Sequence, residues 1–224
     1  MRLSVRNEEY DSGRVVTPWG FFHNLLYYQF IELVTVSAAS VFCFAHKFYE
    51  VVLVVCRHKA LVCDAEGNEF EDNDDRAIFF ARGVIETVKK LRWQPGIVHC
   101  HGWFSAIVPM YLKKVFYDDP LFRDVKIVLS LSDDKFDGTL AADFKQKLEG
   151  EGVMDSKMPI LEEPSYENLY RFVIDYADGV VVTSADADPA VLEYARSSGK
   201  KVLEYAEGDA KEIFDNYKKF YDEL

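Results

Sequence analysis

Several common signatures are missing from these 224 residues. There is no GxxxxGK[ST] loop, no GxGxxG fingerprint and no GxSxG turn, which removes the usual marks of P-loop phosphate binding, dinucleotide binding and serine hydrolysis. The four cysteines, Cys43, Cys56, Cys63 and Cys100, form no CxxC pair. Reduced thiols in a cytoplasmic protein are therefore expected, not a disulfide framework. Basic residues are scarce: 26 Lys and Arg stand against 38 Asp and Glu, for a formal net charge of -12. No run of Lys and Arg marks a basic patch, so such a surface repels a phosphate backbone and no nucleic-acid partner is expected. The opening MRLSVRNEEYDSGR has no apolar stretch of the signal-peptide kind.

A long uncharged run is missing as well. Residues 21–56 are apolar and aromatic but carry His23, Glu32, His46, Lys47 and Glu50, and the longest uncharged run, residues 33–45, has 13 residues. A membrane-spanning helix needs about 18 or more, so the expectation is buried strands or helices and no membrane span. Charge also divides the chain: residues 1–60 hold six basic and five acidic side chains, and the acidic excess lies after them. Two parts are expected, an atypical apolar segment over 1–60 and an α/β domain over 61–224.

From residue 61 the chain alternates strand and helix patterns. Glu66-Gly67-Asn68 suits a tight turn, and Asn73 or Asp74 suits the cap of a helix starting near Asp75. In that helix Ile78, Phe79, Ile85, Val88 and Leu91 are expected to form the buried face. The runs IVHC (97–100) and KIVLSL (126–131) read as buried strands, and GVVVTS (179–184) and KVLEY (201–205) continue the strand order. Amphipathic stretches separate them, and Pro109 and Pro189 suit first-turn helix positions. Ser184 suits the cap of the helix after the third of these strands. In the last stretch, DAKEIFDNYKKFYDEL, Ile213, Tyr217 and Phe220 or Tyr221 are placed to dock a helix on the sheet. The fold class expected is α/β, a three-layer Rossmann-like sandwich with a mostly parallel sheet.

Ligands of open α/β sheets sit beyond the carboxyl ends of the strands. His99 and His101 lie at and just past such an end, and alternation sends both side chains the same way. An imidazole there can bond a sugar hydroxyl or phosphate, or carry a proton; packing within the core is the other reading, above all for His99. Gly102 permits a close backbone approach. Asp133 and Asp134 follow the next strand and suit either hydroxyl binding or a turn. Trp103 can present an aromatic face to a sugar or pack against the sheet. His-x-His lacks a third His or Cys at zinc spacing, so no metal is expected.

The string NDDRAIFFARGVIETVKKLRWQPGIVHCHGWFSAIVPMYLKKVFYDDPLFRDVKIVLSL resembles the N-terminal domain of bacterial glycogen and starch synthases. The likeness is strongest over residues 69–132, most specific over 99–115, and looser to about residue 184. These are retaining glucosyltransferases of the GT-B type, with two Rossmann-like domains facing across a cleft. The resemblance implies transfer of glucose from ADP-glucose or UDP-glucose to an α-1,4-glucan, without a further cofactor. It gives His101 as the histidine facing the transferred glucose, expected to be catalytic, and Trp103 as its neighbour; His99, Gly102, Asp133 and Asp134, which lie at the same strand ends, are the further candidates for binding substrate.

The family pattern also differs here. It has Asp where this chain has Gly102 and a His-Asn pair where this chain has Asp133-Asp134. Its Lys-x-Gly-Gly phosphate loop has no counterpart in residues 1–60, and the roughly 40 residues after Ser184 are fewer than a second domain needs. A complementary domain or a homo-oligomer is therefore an expected partner. A domain that binds nucleotide sugar or glucan without turnover, or a truncated inactive homologue, is the alternative.

Overall fold

The computed structural model describes residues 31–36, 39–44, 51–55 and 62–224. The opening MRLSVRNEEYDSGR, His23, His46, Lys47, Glu50 and Cys56 lie outside the described residues. Three strands fall within the apolar segment: β1 (Ile31–Val36), β2 (Ala39–Phe44) and β3 (Val51–Val55). They join β4 (Ile97–His101), β5 (Lys126–Leu131), β6 (Gly179–Val182) and β7 (Lys201–Leu203) in one sheet. Its order is the order of the chain, antiparallel from β1 to β3 and parallel from β3 to β7. Among the described residues no helix is long and apolar enough to cross a membrane.

Six helices accompany the sheet among the described residues: α1 (Asn73–Lys90), α2 (Val108–Lys114), α3 (Phe144–Gly150), α4 (Tyr166–Ile174), α5 (Pro189–Ser197) and α6 (Ala210–Asp222). Parallel neighbours in sequence order need crossovers of one hand, which put their helices on one face. Period-two alternation decides which strand residues meet those helices. Val98 and Cys100 of β4, Ile127, Leu129 and Leu131 of β5, and Val180 and Val182 of β6 share a core with α1 to α5. Ile97, His99, Val128, Ser130 and Val181 point the other way and are buried too. There α6 lies across the sheet with Ile213, Tyr217 and Phe220 buried. Gly179 lets it settle closely, since a Cβ at that position would stand 2.7 Å from Phe220 Cζ. The molecule is thus three-layered, as the strand and helix patterns require.

Local chemistry explains where the boundaries fall. The turn before α1 closes on Asp64, whose carboxylate accepts from Glu66 and Asn68 N–H groups, with Gly67 at φ +91°. Helix α1 begins two residues earlier than its sequence suggests and neither expected cap acts as one. Asn73 Nδ2 instead donates to Val62 O at 2.9 Å, and the buried Asp74 carboxylate pairs with Lys147 at 2.7 Å. Phe79 and Leu91 are exposed, not packed. At 100° per residue Phe79 falls off the stripe made by Ala77, Ile78, Ala81, Val84, Ile85 and Val88. Ser184 caps no helix: its Oγ accepts from Asp186 N–H, and Asp188 caps α5 through Ala190 and Val191 N–H. Asp209 and Glu212 form a capping box on α6.

Phe144 is fully buried and Phe79 is 79% exposed. Phe144→Ala is expected to lower unfolding free energy by about 3–5 kcal/mol, and Phe79→Ala by less than about 0.5 kcal/mol. Urea denaturation of both variants measures the contrast.

Candidate functional site

The site lies at the carboxyl edge of β4 and β5, on the face that α6 covers. His99 and His101 project to this face together, with ring centroids 6.4 Å apart and planes 15° from parallel. His99 is fully buried. Its Nδ1 lies 2.6 Å from Tyr221 Oη of α6 and its Nε2 lies 2.7 Å from Ser130 Oγ of β5. Burial, and then the neighbouring His101, hold its pKa well below the usual histidine value, so the ring is neutral and ties the sheet to α6. The structure thus places His99 one layer inside the strand end.

His101 stands at the end itself, 2% exposed. Its Nδ1 is 3.3 Å from Ser132 Oγ, which is 2.8 Å from Thr183 Oγ1. Thr183 in turn donates to Leu131 O at 3.0 Å. Ser130, Ser132 and Thr183 were not among the residues expected from sequence. Alternation in KIVLSLS puts both serines on one face, and parallel pairing sets that face beside the histidines; this was the available signal.

Gly102 has φ +82° and ψ 160°, a region that essentially only glycine enters. A Cβ here would lie 2.6 Å from Asp134 Oδ2. That same oxygen accepts the Trp103 backbone N–H at 2.7 Å, while Tyr166 Oη lies 3.4 Å from Asp134 Oδ1. The carboxylate of Asp134 therefore fills the space that a side chain at 102 would take. Burial raises the Asp134 pKa, with the Trp103 and Tyr166 hydrogen bonds opposing it.

Trp103 contributes its amide to this array and its ring to the core. The indole is 7% exposed and packs edge-on against Phe136 at 4.9 Å and Phe104 at 5.2 Å. Asp133 is exposed. Lys135, two residues on, pairs with Asp188 at 2.8 Å and so joins the loop after β5 to the start of α5. Cys100 points to the opposite face, fully buried, and burial pushes its thiol pKa up. Among the described residues, no three His, Cys, Asp or Glu side chains converge as a metal set.

Sheet order and strand-end loops define a Rossmann-like α/β domain of the kind found in GT-B transferases. A family model described as the starch synthase catalytic domain matches residues 8–201, and the chain belongs to that family. The match begins within the apolar opening segment. Glycogen synthase of Chlorobium luteolum is 38% identical over 118 residues, which cover 53% of this chain and 24% of that protein. Glycogen synthase of Clostridium perfringens is 30% identical over 113 residues, covering 50% and 23%. The chain thus matches about a quarter of the length of these relatives. The catalytic domain of starch synthase IV from Arabidopsis thaliana, bound to ADP and acarbose, shares the fold: TM-score 0.50, 15% identity, 84% of this chain and 43% of that one covered.

Two outcomes follow from the Gly102–Asp134 contact. Gly102→Ala is expected to cost about 1–3 kcal/mol of stability from the backbone alone, measured by chemical denaturation. Asp134 titrates with a folded pKa above its unfolded one, so the folded state binds more protons and stability falls as pH rises through that interval. Relative to Asp134→Asn, the unchanged protein is therefore expected to lose unfolding free energy as pH rises above the usual carboxylate range. A difference that grows with pH contradicts this.

Proposed function

We propose that this chain forms the sugar-facing wall of a glycogen or starch synthase-like glucosyltransferase. The reaction is transfer of glucose from ADP-glucose or UDP-glucose to an α-1,4-glucan with retention of configuration. The observation that carries the reading is the constellation at the end of β4, where His101, Gly102 and the Trp103 amide meet the Asp134 carboxylate. Family membership supports a nucleotide sugar as the substrate of that constellation.

The roles follow from chemistry. His101 bonds a hydroxyl of the transferred glucose and is the residue assigned to catalysis. Asp134 supplies, from the loop after β5, a carboxyl group beside the position where the family has its own at 102. Asp133, exposed after β5, is placed to accept from further hydroxyls. Gly102 leaves room for the Asp134 carboxylate against the backbone, the Trp103 indole braces that loop, and His99 braces His101 from the layer beneath. The transition state carries an oxocarbenium-like sugar and a departing diphosphate, whose charge calls for cationic groups. Lys135 is committed to Asp188, so the diphosphate-binding cations are assigned to a complementary domain or a second subunit. Nucleotide sugar and glucan are the partners proposed, the cytoplasm is the compartment proposed, and the reaction as written needs no cofactor.

The commitment of Lys135 also favours the second reading, binding of nucleotide sugar or glucan without turnover. Calorimetric titration with ADP-glucose and UDP-glucose tests the site in either case. Saturable binding is expected, weakened about tenfold or more by His101→Ala, which corresponds to about 1.4 kcal/mol. A folded protein that binds neither donor overturns the assignment. Adding glucan and following nucleoside diphosphate release then separates the readings: release shows turnover by this chain, and binding without release shows a binding domain.

A further inference from the structure

We infer that the outer face of α1 is a self-complementary surface on which a second copy of this chain docks, antiparallel and about a two-fold axis at Ala81. Two residues of that face are unexplained by the single chain. Phe79 is 79% exposed, near the middle of a helix whose buried stripe lies on the other side. Gly83, one turn further on, sits in the helix interior, where glycine is the least favourable residue after proline. Nothing in the fold asks for it: its φ is not left-handed, and a Cβ built there would meet no atom within 4 Å. A bulky ring and an open notch thus stand side by side on one surface.

Charge decides what fits there. At 3.6 residues per turn, Asp72, Arg76, Phe79, Gly83, Glu86 and Lys90 share a sector about 80° wide. They are placed symmetrically about Ala81: Phe79 and Gly83 stand two residues to either side, Arg76 and Glu86 five, Asp72 and Lys90 nine. Antiparallel pairing sets each against its counterpart. The Phe79 ring of one copy enters the Gly83 notch of the other, Asp72 meets Lys90 and Arg76 meets Glu86, with opposite signs at every charged position. A parallel pair would set each charge against its own kind. Arg76 also bonds Asp72 within its own helix at 2.7 Å, so both side chains lie along this face. A self-matching patch is what a two-fold contact requires; a foreign partner has no need of a notch and a charge pattern that reverse about the same residue. Helix α1 belongs to the layer on the face opposite α6, so the contact leaves the end of β4 uncovered and the inference stands apart from the reading of His101.

Sedimentation equilibrium of the full chain over about 1–300 μM tests this, because a contact of one helix face per copy belongs to the small, weak class of interfaces. The expected result is a reversible monomer–dimer equilibrium. Each contact occurs twice in the dimer, so Phe79→Asp is expected to raise the dissociation constant about thirtyfold or more. Lys90→Asp is expected to raise it about five- to tenfold, and adding Asp72→Lys to Lys90→Asp restores most of the loss. Gly83→Leu is the decisive variant. It improves helix propensity, so the monomer unfolds at higher urea, yet it fills the notch and raises the dissociation constant about tenfold or more. Loss of the dimer is then separate from loss of the fold. A protein that stays monomeric over the whole range overturns the inference and leaves Phe79 to a different partner. A dimer unmoved by Phe79→Asp and Gly83→Leu overturns it by placing the contact elsewhere.

Discussion

The parallel pairing of β4 with β5 is the constraint on which the site depends. Ile97 lies opposite Lys126 and His101 opposite Ser130, and from that register three contacts run with a constant separation of 31 residues. His99 meets Ser130, His101 meets Ser132, and the Trp103 amide meets Asp134. A slip of one residue would turn every one of these side chains to the opposite face. The apolar alternation of Val98, Cys100, Ile127, Leu129 and Leu131 against α1 to α5 makes such a slip costly. The hydrophobic face of the sheet thus sets the geometry of its polar face.

That polar face is unusual for a sheet interior, because buried hydroxyls and imidazoles are costly unless each finds a partner. Here the chain from Leu131 O through Thr183 and Ser132 to His101 satisfies them in series, and His99 does the same between Ser130 and Tyr221. Asp134 and Gly102 form the second device. The carboxylate occupies the place of the side chain that Gly102 lacks and holds the next amide. A carboxyl group therefore stands beside the strand end although residue 102 has no side chain.

Much of this was legible in the sequence, and the reasons are specific. β-branched runs bounded by turns marked β4, β5 and β6 because fully buried parallel strands leave little else to read. The docking of α6 by Ile213, Tyr217 and Phe220 followed from helical spacing. Alternation correctly sent His99 and His101 the same way. The cap of α1 was misplaced because Asn73 and Asp74 are engaged by Val62 and Lys147, the latter distant in sequence. Phe79 was misassigned because hydrophobicity was counted without fixing the phase of the helix, and Leu91 because α1 ends at Lys90 and leaves it as the C-terminal cap. Ser132 and Thr183 went unnoticed because a hydroxyl gains its meaning only from the neighbouring strand.

The central claim is that a nucleotide sugar meets the protein at the end of β4, on His101 and the Trp103 amide. Chemical-shift mapping of uniformly nitrogen-15-labelled protein during titration with ADP-glucose tests this most directly. The account predicts that the His101 ring nitrogens and the Trp103 and Asp134 amides shift together and saturably, while amides in the middle of α1 and α3 stay in place. Saturable shifts confined to other parts of the molecule, with His101 and Trp103 unmoved, would contradict it.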